Sequence, residues 1–95
     1  MWVIAQSRLR AFWEQHADAE KPLRAWHAEA EAALWTSPAQ VKARYGNASV
    51  LQKGRIVFNI AGNKYRLVVQ LWNTRVYIRF IGTHQEYDVI DAQTI

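Results

Sequence analysis

Hydrophobic residues follow a helical period in the first half of the chain and a strand period in the second half. Residues 2–5 are β-prone and predict a short first strand. Apolar side chains then recur at helical spacing. This spacing predicts one helix capped by Ser7, a second over about residues 18–33, and a third over residues 37–45 that ends with Gly46 as its cap.

After the third helix, three runs rich in Val, Ile, Tyr and Phe predict strands over residues 55–60, 65–72 and 76–81. The connections between them are short enough for antiparallel hairpins. We therefore expect a single α+β domain over residues 1–95. It should have a short N-terminal strand, two to three helices, and a C-terminal antiparallel β-meander with the helices packed on one face of the sheet.

Alternation along these strands separates an apolar face from a polar face. In the middle strand, Lys64 and Arg66 are expected to share one side. In the last strand, Tyr77, Arg79 and Ile81 are expected to share the corresponding side. The opposite sides are apolar and suit packing against helices, so the basic side chains are expected on an open face of the sheet.

The acidic residues are confined to the two ends of the chain. Between Leu34 and Glu86 there is no Asp or Glu, and the basic residues of this stretch are Lys42, Arg44, Lys53, Arg55, Lys64, Arg66, Arg75 and Arg79. The formal net charge of +4 conceals this asymmetry. Basic residues without interspersed acids create a positive potential, which favours nucleic acid as a partner. Ordinary solvated surface charges are the alternative interpretation.

Composition excludes several other classes of protein. The chain has no cysteine, and its His, Asp and Glu residues do not have metal-ligand spacing, so neither a metal nor another cofactor is expected. The N-terminal apolar run is too short for a signal peptide, and no segment is long and apolar enough to be a membrane span. We expect a soluble, cytoplasmic protein with no membrane partner.

A histidine and a tyrosine follow the last predicted strand, which Gly82 is expected to end. Metal-independent RNA cleavage needs a base for the 2′-hydroxyl, cations for the phosphate, and an acid for the leaving oxygen. His84 and Tyr87 beside a basic face could supply the acid and the base, although a lone His near a strand end is more often structural. His16 and His27 lie in predicted helices beside apolar stripes and are interpreted as structural.

Two long motifs occupy this half of the chain. Residues 62–69 read Gly-Asn-Lys-Tyr-Arg-Leu-Val-Val, and residues 77–88 read Tyr-Ile-Arg-Phe-Ile-Gly-Thr-His-Gln-Glu-Tyr-Asp. Both resemble the HigB toxins of bacterial toxin–antitoxin pairs, which belong to the RelE-like superfamily, and the resemblance extends over nearly the whole chain. It implies a helix-flanked antiparallel sheet, a ribosome-dependent mRNA endoribonuclease (an mRNA interferase), and neutralisation by a HigA-like helix-turn-helix antitoxin.

The resemblance also implies a set of functional residues. The catalytic set is Lys64, Arg66, His84 and Tyr87. The predicted RNA contacts come mainly from the acid-free basic stretch and are Arg79, Lys53, Arg55, Arg75 and Asn63. Because an imidazole titrates near pH 6.5, His84 is expected to transfer the proton, and Tyr87 is expected to orient or stack on the substrate.

Two other functions remain open at this point. One is a non-catalytic module that binds RNA or the ribosome through the same basic face, and the other is a ParE-like poison of a protein target. The joint presence of the four predicted catalytic residues argues against the ParE-like poison. Few aromatic side chains that could stack on bases are expected among the basic residues, which predicts weak binding of free RNA. The connection over residues 70–76 is shorter than in relatives, which predicts a tight hairpin.

Overall fold

The fold is known from a computed structural model that describes residues 1–95. Its elements are β1 (Trp2–Ile4), α1 (Ser7–Gln15), a 3₁₀ turn (Ala17–Ala19), α2 (Glu20–Ala32), α3 (Pro38–Arg44), β2 (Ser49–Val50), a second 3₁₀ turn (Gln52–Gly54), β3 (Arg55–Ile60), β4 (Tyr65–Trp72), β5 (Arg75–Thr83) and α4 (His84–Asp88). One sheet contains all five strands in the order β1-β5-β4-β3-β2. Only β1 runs parallel to its neighbour. The predicted α+β architecture is confirmed. None of its helices has the length and hydrophobicity to cross a membrane.

The ends of the helices agree only partly with the predicted caps. At the start of α3, the Ser37 hydroxyl accepts a hydrogen bond from the Gln40 backbone N–H, as expected for an N-cap. The predicted cap at Ser7 is wrong, because α1 already includes Ser7 and no side chain caps its first turn. Tyr45, not Gly46, is the C-cap residue of α3. The Lys42 ammonium instead satisfies the free carbonyls beyond this helix.

The main hydrophobic core lies between the sheet and helices α1 and α2. Leu23 of α2 and Leu67 and Val69 of β4 have no exposed surface in this core. Trp26 of α2 meets Phe58 of β3 edge to face, with ring centroids 5.5 Å apart. Burying each of these aliphatic side chains stabilises the fold by about 1.5–3 kcal/mol. The helices therefore fix the sheet from one side and leave its other side, the second face, to carry a site.

The middle of the second face is covered by the C-terminal segment, residues 84–95. Ala92 of this segment packs against Val57 and Val68 of the sheet. Arg55 is also buried here, and its guanidinium donates two hydrogen bonds, of 3.1 and 2.9 Å, to the main-chain oxygen of Ile95. The second face is thus exposed mainly at its two ends.

The alternation of side chains between the two faces of the sheet is interrupted in β5 at Arg79. Ile78 and Phe80 pair with consecutive residues of β4, so Arg79 is an extra residue in a β-bulge. Beyond the bulge, Phe80 packs on the second face and Ile81 packs against the main core. The expectation that Arg79 and Ile81 share one side is therefore wrong.

The connection between β4 and β5 is a two-residue hairpin at Asn73 and Thr74. Asn73 adopts a positive φ of 57°, a conformation that Asn tolerates well. The predicted tight hairpin is confirmed. The Trp2 N–H donates to the Thr74 carbonyl at 3.1 Å, which fixes β1 to this end of the sheet.

Candidate functional site

Arg66 lies near the start of β4 on the second face, at one end of the sheet. It pairs with Gly82 of β5. Its Nη1 atom donates to the main-chain oxygen of Asn63 at 3.0 Å, so the turn before the strand holds the guanidinium in place. No carboxylate forms an ion pair with it. A guanidinium has five N–H donors, so most of them remain free to bind a phosphate.

His84 is fixed at the same end of the sheet by backbone contacts. It begins α4, and its N–H donates to the Lys64 carbonyl at 3.1 Å. Thr83, just before it, and Glu86, two residues after it, form a reciprocal capping box with hydrogen bonds of 3.1 and 2.8 Å. The backbones of Arg66 and His84 therefore lie at the same end of the sheet. The Glu86 side chain is used in the cap of α4.

Asp88 is a neighbour of His84 that the sequence analysis did not identify. The His84 Nε2 atom lies 3.5 Å from Asp88 Oδ1, and both side chains are more than half exposed. The spacing of four residues in α4 was the available signal. At this distance the carboxylate can orient the imidazole ring and form an ion pair with it whenever the imidazole is protonated. We call Arg66, Asn63, His84 and Asp88 the Arg66 end.

Tyr87 packs beside this group. Its ring lies against Phe80, with centroids 6.4 Å apart, and it packs in the same apolar cluster as Val57, Val68 and Ala92. Its hydroxyl forms no hydrogen bond within the chain. The helical turn predicted to bring Tyr87 and His84 together is present as α4. Tyr87 also anchors α4 on the second face.

Lys64 does not share the side of Arg66, so this expectation is wrong. It lies in the turn before β4, where strand alternation does not apply. Its ammonium is 2.6 Å from one carboxylate oxygen of Asp18, and the Tyr65 hydroxyl donates to the other. The hydrogen bond from Lys64, followed by that from Tyr65, lowers the pKa of Asp18. The same hydrogen bonds to Asp18 raise the pKa of both Lys64 and Tyr65.

Arg79 lies at the other end of the second face. Its Nε and Nη2 atoms both donate to Gln70 Oε1, at 3.1 and 2.7 Å, and its guanidinium lies 5.4 Å from the Tyr77 ring centroid. The Gln70 amide in turn donates to the Lys53 carbonyl at 2.8 Å. Gln70 and Arg66 are four residues apart in one strand, or about 13 Å. The predicted functional residues thus form two groups, one around Arg66 and one around Arg79. Gln70, which orients Arg79, was not identified as a functional residue from the sequence.

Arg75 lies at the same end of the second face as Arg79 and Lys53. It pairs with Trp2 of β1 and with Trp72 of β4, and its guanidinium lies 5.5 Å from the Trp2 ring centroid. Trp2 is 65% exposed and Trp72 is 62% exposed. The expectation of few aromatic surfaces among the basic residues is therefore wrong at this end.

Intramolecular contacts reduce the predicted basic surface without removing it. Arg44 pairs with Glu29 at 3.3 Å, and Lys64 pairs with Asp18. The other six basic residues of the acid-free stretch form no ion pair. Arg55, predicted as an RNA contact, is buried and hydrogen-bonded within the fold, so it is not available to a ligand.

Comparison with known proteins identifies the class of this chain. A family model described as the RelE-like toxic component of a toxin–antitoxin system, HigB_toxin, matches residues 19–90. A search of curated proteins finds no match. Because the family model covers more than half of the chain, this protein belongs to the HigB toxin family. The resemblance inferred from the sequence is confirmed, and the toxin has an antitoxin as its partner.

Proposed function

We propose that this toxin is a ribosome-dependent endoribonuclease that cleaves mRNA at the Arg66 end. One observation carries the proposal: a guanidinium without a carboxylate partner and a half-exposed imidazole occupy the same corner of the sheet. The pairing of Arg66 with Gly82 and the hydrogen bond between His84 and Lys64 hold them there. The membership of this protein in a family of RelE-like toxins supports the same activity.

The proposed reaction is an attack of the ribose 2′-hydroxyl on the adjacent phosphorus. His84 takes the 2′-hydroxyl proton, the new bond to phosphorus forms, and the bond to the 5′ oxygen breaks as that oxygen takes a proton from water. His84 then returns its proton to water, so the reaction neither consumes nor releases a proton overall. The products are a 2′,3′-cyclic phosphate and a 5′-hydroxyl. Arg66 binds the phosphate oxygens, on which charge increases in the transition state. Asp88 positions His84.

Tyr87 and Lys64 have supporting roles in this proposal. The Tyr87 ring anchors α4, and its free hydroxyl is available to orient the substrate. Lys64 contributes through its carbonyl, which holds the start of α4, because its ammonium is already paired with Asp18. Arg79, Arg75 and Lys53 contact RNA away from the scissile phosphate, and Asn63 holds Arg66.

The ribosome supplies the translating mRNA and a large anionic surface. Basic residues without ion pairs suit docking to ribosomal RNA, where release of counterions favours binding. The partner antitoxin is, in this proposal, a HigA-like helix-turn-helix protein.

Expression of Arg66→Ala in bacterial cells tests the proposal. Removing one such donor typically lowers the rate of the chemical step by roughly 10²–10³-fold, so growth arrest should be lost. The core should stay intact, because Arg66 projects from the second face. Arg10→Ala is the matched control: Arg10 is exposed on α1 and forms no hydrogen bond or ion pair. Full growth arrest by folded Arg66→Ala would refute the catalytic role.

A further inference from the structure

An unusual row of side chains crosses three strands at the hairpin end of the second face. Trp2, Arg75 and Trp72 are direct neighbours in the register of β1, β5 and β4. Both indoles are more than 60% exposed, which is uncommon for so large an apolar side chain. The guanidinium between them lies 5.5 Å from the Trp2 ring centroid. The row presents flat surfaces that nothing in the chain covers.

A shallow cavity of about 330 Å³ adjoins this row. It is lined by Gln70, Trp72, Tyr77 and Arg79. Its polar groups are already oriented, because Gln70 is held by the Lys53 carbonyl and in turn holds Arg79. A volume of this size is at the lower end of the range for ligand-binding pockets.

We propose that this surface, the aromatic–arginine platform (Trp2, Trp72, Arg75, Tyr77 and Arg79), binds unpaired bases of single-stranded RNA. Aromatic rings and guanidinium planes stack on bases of any sequence, and the guanidinium charge attracts the adjacent phosphates. No acidic residue forms an ion pair with either arginine, and the chain contains no Asp or Glu over residues 35–85. A polyanion with exposed flat bases matches this combination of charge and shape.

The platform deepens the proposed function, on which its biological role rests. Its β4 residue, Trp72, is six residues from Arg66 in the same strand, or about 20 Å, so one RNA strand several nucleotides long could contact both ends of the second face. The platform would then hold bases a few nucleotides away from the scissile phosphate while the Arg66 end acts on the phosphate itself. Because the platform does not need the catalytic groups, its binding can be measured without ribosomes.

The test is fluorescence anisotropy with a labelled oligouridine and the purified chain at low salt. Trp72→Thr removes the ring and keeps a residue suited to a strand. It should weaken binding roughly 5- to 150-fold, the range for losing one stacked base. Trp72→Tyr should restore most of the affinity. Leu34→Thr is the control, because Leu34 is 87% exposed but lies outside the platform. The same RNA in a duplex should bind more weakly, since its bases are stacked on each other.

Three results would overturn the platform: Trp72→Thr binding as tightly as Leu34→Thr, equal affinity for duplex RNA, or no binding of the single strand. The last result would exclude single-stranded RNA as the ligand of this surface. Cleavage of translating mRNA by the wild type and Arg66→Ala is assayed separately. If the binding assay refutes the platform, the proposed nuclease activity still stands. If the cleavage assay refutes the nuclease, the RNA binding of the platform still stands.

Discussion

Replacing Gly82 with alanine would put a methyl group where the tip of the Phe80 ring lies. A Cβ atom at Gly82 would be 2.5 Å from Phe80 Cζ and 3.0 Å from Glu86 Oε1. Carbon atoms in ordinary contact are about 3.5–4.0 Å apart, so the ring would have to move by about 1 Å or more. Phe80 packs under the C-terminal segment and Glu86 completes the cap of α4, so the methyl group would disturb both.

The cost can be placed within the range measured for overpacked sites. Extra methyl groups in packed regions destabilise proteins by about 1–3 kcal/mol. In a chain of this length, each kcal/mol lowers the Tm by about 4–8 °C, so Gly82→Ala should lower it by at least about 4 °C. Because α4 starts two residues later, displacement of His84 should also slow mRNA cleavage.

Thermal unfolding followed by circular dichroism measures the first effect. Gly46→Ala is the matched control, because no atom lies within 4 Å of a Cβ at that position and its φ is not positive. Its Tm should stay close to that of the wild type. Adding Phe80→Leu to Gly82→Ala should recover part of the lost stability, since the smaller side chain makes room. If Gly82→Ala unfolds at the wild-type temperature, the packing of Phe80 over Gly82 is not as described.

Two further predictions concern the ionisable groups. The pKa of Asp18 is lower in the folded protein than the value of about 3.9 expected for the unfolded chain. The Asp18 carboxylate therefore stabilises the fold fully at pH values above about 3.9. This stabilisation is lost as the pH falls through the pKa that Asp18 has in the folded protein. The Tm advantage of the wild type over Asp18→Asn should therefore be present at pH 7 and shrink below about pH 4; an equal difference at pH 3 and pH 7 would contradict it. In single-turnover cleavage, His84→Gln should slow the chemical step far more than Tyr87→Phe, and the reverse order would make Tyr87 the proton-transfer residue.

Much of the fold could be predicted because its signals are local. Strands β3 and β4 have the predicted bounds, since β-branched runs with short connections specify hairpins without reference to distant residues. The bulge at Arg79 could not be predicted. Neither Gly nor Pro marks it, and a shift of one residue reverses the side of Phe80 and Ile81.

The candidate site shows the same division between local and distant contacts. Arg66 was identified because it lies inside a regular strand, where alternation determines its side. Lys64 was misplaced because the strand begins one residue later. The pairing of Trp2 with Arg75 and the burial of Arg55 depend on contacts between residues far apart in the sequence, and no local pattern specifies such contacts.

The central claim is that the Arg66 end cleaves mRNA by 2′-hydroxyl attack on the ribosome. Its most direct test is a single-turnover reaction with end-labelled mRNA, either free or bound to stalled ribosomes, with identification of the new RNA ends. The account predicts rapid cleavage only on ribosomes, a 2′,3′-cyclic phosphate and a 5′-hydroxyl as products, and a rate roughly 10²–10³-fold lower for Arg66→Ala. Growth arrest without any cut in ribosome-bound mRNA, or equally fast cutting of free mRNA, would contradict it.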